Sequence, residues 1–435
     1  MDNSHAAAAG IGLRRRLTAR MSRSVDALDL TGPVSAIALG ALLASFAMNF
    51  WYPFLPLYEQ RLGAGGEAAA LAWVAAATTG QGIARILAGP LWGVLADRYG
   101  RKLMFVRALF AATLTTLVVA LATRPWHVVL ALTLQGLLSG FIPAAIALTT
   151  VTVPGDGMSG ALATVTGAQY VGTMLGPALG AGLAALFDLR QAILIGATLP
   201  ALSGVVVIWR VPRDPVARTR LRPAPHGPAP RHRGLGLPLS SMLLIGLMLY
   251  FVIYSASQLV RVATPVALQN IVHGPAENAT GVAFTIAGIG SVVGAWGLAR
   301  LAGRPSMLRR LLIGISLTTA AAHLFLAAST SLWLYTFWFT VAAVVEGTII
   351  PATNTLIASS VPLDLRGTAF GLAASIQAIG FIVGPLAAAL FARYSLRAGF
   401  VAIALAFLAG AVLVTLCLKP PQINDATRNE TSASG

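Results

Sequence analysis

Twelve apolar runs, each long enough for a helix that crosses a lipid bilayer, occupy most of the 435-residue sequence. A bilayer core requires about 20 consecutive apolar residues in a helix. The runs are continuous rather than alternating, which favours helices over the strands of a membrane barrel. We therefore predict an all-α integral membrane protein with twelve spans, numbered in chain order: 33–58, 70–95, 102–123, 126–151, 159–186, 190–211, 238–260 (which can extend to 272), 278–302, 307–329, 331–360, 366–393 and 396–418.

The composition excludes a soluble globular protein. Hydrophobic residues make up 57% of the chain and charged residues 10%, whereas charged residues are about 25% of ordinary soluble domains. Cys417 is the single cysteine, so disulfide frameworks and Cys-based metal sites are also excluded, and we predict no metal site.

The distribution of charge predicts the topology. The chain has 30 basic and 14 acidic residues, and 23 of the basic residues lie in the two tails, in the loops after even-numbered spans, or at the span ends beside those loops. The positive-inside rule then places both termini in the cytoplasm. A net charge of +16 could indicate a nucleic-acid site if it formed one folded patch. Because the arginines are instead scattered between apolar runs, we expect no nucleic-acid partner.

The same pattern divides the chain into two halves of six spans. From Arg210 to Pro238 the sequence has seven Arg and seven Pro, a composition that stays extended and cannot bury a core. We predict a basic cytoplasmic tail, a first half, a Pro/Arg-rich cytoplasmic linker, a second half and a cytoplasmic C-terminal tail at 1–32, 33–211, 212–237, 238–418 and 419–435.

An internal repeat relates the halves. At an offset of 208 residues the second half repeats prolines, glycines and polar residues of spans 4 and 5 without a gap. Since the repeat is displaced by six spans, the halves have the same orientation in the membrane, an arrangement found in transporters whose substrate site lies between the halves. The matched pairs are Pro143 and Pro351, Pro154 and Pro362, Asp156 and Asp364, Gln169 and Gln377, Gly172 and Gly380, Gly176 and Gly384, and Pro177 and Pro385.

The loop after span 2 carries a specific motif. Its string GVLADRYGRK contains glycines that permit a tight turn, basic residues at the cytoplasmic interface, and an acid placed to meet a helix N-terminus. The motif resembles the signature loop of the major facilitator superfamily, and the resemblance implies that Asp97 approaches span 11 and acts in a conformational switch. The switch residues are Gly93, Asp97, Arg98, Gly100, Arg101 and Lys102.

Span 5 carries a second motif. The glycines four residues apart in YVGTMLGPALGAG allow close helix contact, and a proline bends the helix. The string resembles the signature of drug:proton antiporters within that superfamily, although helix packing alone can produce such a stripe. Its residues are Gly172, Gly176, Pro177 and Gly180. With this motif, NFWYPFLP at 49–56 and FIPAA at 141–145, the chain resembles twelve-span multidrug efflux transporters over nearly its whole length. Leu132 stands where members often carry an Arg.

Two ionisable residues lie deep in the predicted spans. Glu346 is the one acidic residue near the middle of a run, and a carboxyl group taken out of water favours its protonated form, so it can take up and release a proton. Arg85 in span 2 is a comparably deep cation, which either pairs across the cavity or meets an anionic substrate. We assign proton coupling to these two residues. Glu59 and Arg261 are expected at membrane interfaces, and His323 is expected to be structural.

Polar and aromatic side chains of several spans are candidates for the substrate cavity, although interfacial aromatic belts would explain the aromatic ones equally well. They are Asn49, Tyr52, Gln81, Gln169, Tyr170, Tyr254, Gln258 and Trp338.

The favoured function is a secondary transporter that exports small amphipathic compounds in exchange for protons. The alternatives are a metabolite importer or facilitator of the same fold, for a sugar or an organic acid, and a membrane sensor that transports nothing. No set of nucleophile, base and orienting group points to an enzyme. We expect no cofactor beyond the proton gradient, a monomer, and a bacterial inner membrane.

Overall fold

A computed structural model describes residues 32–138, 140–153, 158–212, 240–294, 305–362 and 365–417, and every regular element in these ranges is helical. Span 1 consists of the helix Pro33–Asn49, a 3-10 turn Tyr52–Phe54 and the helix Leu55–Arg61. Span 4 also has two helices, Pro125–Leu138 and Phe141–Thr152. The other spans are Glu67–Tyr99, Arg101–Ala120, Met158–Leu186, Leu189–Arg210, Ser241–Val272, Glu277–Val293, Pro305–Ala328, Leu332–Ser359, Arg366–Ala392 and Leu396–Cys417.

The helices coincide with the twelve predicted runs. Nine helical segments of the described ranges are long and apolar enough to cross a membrane. The other three predicted runs correspond to spans 2, 5 and 8. The predicted tails and the linker lie outside the described residues, apart from Gly32 and Pro212.

Local sequence explains several helix ends. The hydroxyl oxygens of Ser240 and Ser331 accept hydrogen bonds from the backbone N–H groups of Leu243 and Leu334, and so cap the N-termini of spans 7 and 10. Gly100 separates spans 2 and 3 with φ of +99°, a conformation that residues with a Cβ rarely adopt. The predicted tight turn in the motif loop therefore depends on this glycine.

Helix packing repeats between the halves. In the first half span 1 packs on span 5, span 2 on span 4, and span 3 on span 6. In the second half span 7 packs on span 11, span 8 on span 10, and span 9 on span 12. The largest contacts between the halves are those of span 2 with span 11 and of span 5 with span 8, and span 7 also contacts spans 1 and 2. Each pairing is thus repeated six spans later, as the internal sequence repeat predicts.

Glycines of spans 5 and 11 lie where these spans approach their neighbours closely. A side chain at Gly172 or Gly180 would overlap a backbone carbonyl oxygen of span 1, that of Leu42 or Phe50. Gly384 of span 11 approaches the carbonyl oxygen of Ser255 in span 7 in the same way. Close backbone packing is therefore the structural role of this stripe in both halves.

The halves are held together at one end. We call the end that carries the loops 62–66, 187–188 and 273–276 the outer end, because the charge distribution predicts that it faces outside. Within the described residues, the hydrogen bonds between the halves join spans 1 and 2 to spans 7 and 8 in the outer part of the molecule. Toward the inner end, Leu87 and Val94 of span 2 are 73% and 67% exposed.

Candidate functional site

A cavity of about 210 Å³ lies between the halves, bounded by spans 5, 7, 8 and 10. Its lining is largely apolar, with one acidic residue, Glu346, and one basic residue, Arg261. Thr173, Ser257 and Ser291 add hydroxyl groups. A larger cavity of about 480 Å³ lies at the outer end. We take the smaller one as the candidate site because it lies between the halves at the depth of the carboxylate.

Glu346 lies near the middle of span 10. It is about 20 Å from either Leu332 or Ser359, since a helix rises about 1.5 Å per residue. Its half-buried side chain forms no ion pair with any other residue in the described part of the chain. An acidic group at this depth is costly and therefore a candidate for function.

Arg261 corrects the sequence interpretation. We expected it at an interface, but span 7 takes its long form and continues to Val272, so Arg261 lies about 16 Å from the outer end of the helix. Its Nη2 donates a hydrogen bond to Oδ1 of Asn49 at 2.5 Å. Its guanidinium carbon lies 4.8 Å from the centre of the Tyr52 ring. Because both partners belong to span 1, Arg261 joins the halves beside the cavity.

Arg85 approaches the same region from span 2. Its side chain is exposed, and the described residues contain no ion pair to it. Its guanidinium is close enough to the Tyr52 phenol for an electrostatic interaction, as is that of Arg261. Tyr52 is therefore flanked by two cations that come from opposite halves.

The predicted cavity residue Gln81 belongs to a polar network within the first half. Its Nε2 donates to Oε1 of Gln135 at 2.5 Å, and Nε2 of Gln135 lies 3.3 Å from Oγ1 of Thr115. This network joins spans 2, 3 and 4. Asn49 belongs to a neighbouring network, since its Nδ2 donates to the Ser45 carbonyl at 2.6 Å.

The other predicted cavity residues lie in different places. Tyr254 packs between Tyr250 and Phe381, with ring centres 4.9 Å and 5.5 Å away, where spans 7 and 11 meet. Trp338 stacks on Phe325 of span 9 at 4.2 Å, whereas its neighbour Phe339 lines the cavity. Trp338 is therefore not part of the cavity wall. The remaining three are on spans 5 and 7: Tyr170 is 59% exposed, and Gln169 and Gln258 are half-buried.

The basic residues of the motif loop bind the ends of neighbouring helices. Lys102 Nζ donates to the carbonyl oxygen of Ile208 at 2.8 Å, at the C-terminus of span 6. Arg101 Nη1 lies 3.4 Å from Oγ1 of Thr150 in span 4. Both side chains thus contact the negative ends of helices.

The role of the motif loop in a conformational switch remains a prediction. Arg98 is exposed with its guanidinium carbon 5.5 Å from the Tyr99 ring centre, and Gly93 has open space around it. The side chain of Asp97 lies outside the described residues, so its approach to span 11 stays a prediction.

Two further ionisable residues are fully buried. Glu59 lies two residues before the outer end of the helix Leu55–Arg61, is 0% exposed, and has no hydrogen-bond partner at either carboxyl oxygen. His323 stacks on Phe407, and its Nδ1 donates to the Thr319 carbonyl at 2.7 Å. His323 therefore packs between spans 9 and 12, as a structural role predicts.

Arg61 forms the ion pairs at the outer end. It lies 2.6 Å from Asp188 of its own half and also pairs with Glu277 of the other half. Two amide contacts lie beside it, from Gln269 to Gln60 and from Asn270 to Glu67, each at 3.1 Å. Together these residues close the outer end in the present conformation.

Arg61→Gln is expected to favour opening of the outer end. Losing the ion pair to Glu277 removes about 0.5–1 kcal/mol of stabilisation from the closed state, a roughly two- to fivefold change in the population of the open state. In a Cys417→Ser background, a cysteine introduced at Ser291 in the cavity should react that much faster with a membrane-impermeant maleimide added outside. Arg124→Gln, which removes another exposed outer arginine, is the control and should leave the rate unchanged. Equal rates in both variants would contradict this role for Arg61.

Two six-span halves that meet at a cavity are an architecture typical of membrane transporters. The family model described as Major Facilitator Superfamily matches residues 37–323 and 247–434, and the chain belongs to this family. It is therefore a multi-span membrane transporter with the all-α, twelve-helix fold.

Relatives and solved structures agree with this assignment. The chain is 28% identical over 396 residues to the multidrug resistance protein MdtG of Klebsiella pneumoniae (strain 342), covering 88% of this chain and 92% of the relative. It shares the fold of an inward-facing bacterial homologue of the human lysosomal transporter Spinster (TM-score 0.69, 14% identity, 88% and 96% covered). The human organic anion transporter MFSD10 (TETRAN) is also similar in fold (TM-score 0.62, 17% identity, 88% and 98% covered).

Proposed function

We propose that this chain exports small amphipathic compounds in exchange for protons by alternating access of its two halves. The observation that carries the proposal is Glu346, an unpaired carboxyl group in the cavity between the halves. It takes up a proton from the outer side and releases it to the cytoplasm. One proton moving inward down roughly 150 mV supplies about 3.5 kcal/mol, enough for a roughly 300-fold gradient of a neutral substrate.

Three further observations support export. The multidrug resistance proteins named MdtG are similar along most of the chain. The glycine stripe of span 5 resembles the antiporter signature, and its Pro177 lines the cavity. The lining is apolar apart from a few polar groups, which suits amphipathic compounds. We further propose that the protein is a monomer in a bacterial inner membrane, with cytoplasmic termini and the proton gradient as its energy source.

A second candidate is import of an organic acid. Arg261 and Arg85 bring two cations to a region with one carboxylate, and surplus positive charge favours an anionic ligand. An anion bound beside Glu346 also favours the protonated carboxyl group, so anion and proton would move in the same direction. Import of this kind would be symport rather than antiport.

An accumulation assay in efflux-deficient cells distinguishes the two candidates. The panel contains a cationic dye, a neutral antibiotic and an aromatic carboxylate, each with and without an uncoupler. Export predicts lower accumulation of panel compounds in expressing cells, reversed by the uncoupler. If the carboxylate accumulates to a higher level in expressing cells and the uncoupler abolishes this increase, import is favoured. Accumulation equal to that of empty-vector cells for all three, despite normal membrane expression, would contradict export of such compounds.

A further inference from the structure

Arg261 forms the deepest hydrogen bond between the halves in the described residues. The other three involve Gln60, Arg61 and Glu67, which lie near the outer ends of spans 1 and 2. The bond from Arg261 reaches Asn49, at the end of the first helix of span 1. Any opening of the outer end that separates spans 1 and 7 must break this bond.

Arg261 also lines the cavity that contains Glu346. The two side chains are not within ion-pair distance, and Nε of Arg261 is buried without a hydrogen-bond partner. A guanidinium group has five N–H donors, so Arg261 retains unused hydrogen-bonding capacity toward the cavity. Arg261 is therefore bound to Asn49, while a second acceptor, the carboxyl group of Glu346, lies in the cavity that Arg261 lines.

The protonation state of Glu346 decides which acceptor is stronger. Ionised Glu346 offers the guanidinium a hydrogen bond and also the attraction of an opposite unit charge, whereas the neutral amide of Asn49 offers only the hydrogen bond. Ionised Glu346 therefore competes with Asn49 for the guanidinium, whereas protonated Glu346 does not. The competition is strong because charges at this depth are poorly screened.

Few other groups can interfere. Between their ends, spans 5, 8 and 10 carry no charged residue except Glu346, and Arg366 begins span 11. On span 9, Arg309 and Arg310 lie near the inner end and His323 packs against Phe407. In the described part of the chain, the charged and titratable groups that face the region between the halves include Tyr52 of span 1, Arg85 of span 2, Tyr170 of span 5, and Tyr250, Tyr254 and Arg261 of span 7.

We propose that Arg261 is the positioning residue that couples the proton on Glu346 to the contact between the halves. With Glu346 protonated, Arg261 binds Asn49 and Tyr52, and the outer end is closed, as in this structure. When Glu346 loses its proton, Arg261 turns to the carboxylate and the outer end is free to open. The proposal rests on the proposed role of Glu346 as the proton carrier, and it makes proton uptake from outside the event that closes the outer end.

Distance measurements between spin labels test this coupling without any transport assay. Cysteines replace Arg124 and Tyr394, exposed outer-loop residues of opposite halves, in a Cys417→Ser background in nanodiscs. The wild-type sequence should show the short distance at pH 5.5 and gain a longer one at pH 8.5. Glu346→Gln should lose the longer distance at both pH values.

Two substitutions of Asn49 move the distance in opposite directions. Asn49→Asp gives Arg261 a carboxylate on the first half and should keep the short distance at both pH values, although Glu346 is intact. Asn49→Ala removes the acceptor and should show the longer distance even at pH 5.5. A wild-type-like pH response in either Asn49 variant, or in Glu346→Gln, would overturn the coupling.

If Glu346→Gln retains uphill transport, the proposed function fails as well. If only the Asn49 variants behave like wild type, the coupling alone fails.

Discussion

Replacing Glu346 by Gln is expected to abolish proton-driven uphill transport while leaving substrate exchange. The amide mimics a permanently protonated carboxyl group, so the carrier can still bind substrate and alternate but cannot release a proton on the cytoplasmic side. In proteoliposomes with an imposed proton gradient, the wild-type protein should show substrate-induced proton movement and uphill transport. The variant should show neither and retain counterflow.

Two other carboxylates serve as comparisons for this experiment. Glu67→Gln removes a half-buried carboxylate that accepts a hydrogen bond from Asn270 at the outer end, and it should keep uphill transport because the amide oxygen can still accept that bond. Glu59→Gln neutralises a fully buried carboxyl group that has no hydrogen-bond partner. Uphill transport that survives Glu346→Gln but is lost in Glu59→Gln would move the proton-carrying role to Glu59.

Gly180→Val is expected to cost about 3 kcal/mol or more of stability, because any side chain there overlaps the carbonyl oxygen of Phe50 and the packed helices cannot both keep their positions. The same substitution at Gly182, two residues along the same helix, meets open space. The measurement is the apparent melting temperature of each variant in detergent, followed by size-exclusion chromatography. Gly180→Val should lower it sharply or prevent recovery of folded protein, while Gly182→Val should remain close to wild type.

The repeat extends this prediction to the second half. Gly384 meets the backbone of span 7 as the span 5 glycines meet span 1, so Gly384→Val should be as damaging as Gly180→Val. Comparable stability of the Gly180 and Gly182 variants would mean that the stripe has no packing role. A stable Gly180→Val variant without transport would instead favour a direct role of the antiporter signature in function.

Membrane spans could be predicted from the sequence because a single length scale, the bilayer thickness, determines the length of each apolar run. Span 6 was predicted at 190–211 and is observed at Leu189–Arg210. The repeat also predicted the equivalence of Gly172 and Gly380, since backbone contact tolerates only the smallest residue at both places.

The side of each helix that faces the cavity could not be predicted in the same way. Span 10 is apolar around most of its circumference, so no polar stripe indicates which side faces the cavity. Trp338 and Phe339 are neighbours in sequence, yet one faces span 9 and the other the cavity. Arg261 is difficult to place from the sequence because a charged residue commonly ends an apolar run, whereas this run resumes at 262–268.

Arg61 has one acidic partner in each half, so opening of the outer end breaks only one of its two ion pairs. When the outer end opens, Arg61 gives up Glu277 but keeps Asp188, so the movement strands no cation without a counter-charge. The bond that breaks is the more shielded one, because the Glu277 side chain is 12% exposed and that of Asp188 is 62% exposed. External salt should screen the retained pair more strongly than the broken one. The outer end therefore behaves as a latch whose release depends only weakly on the ionic strength outside the cell.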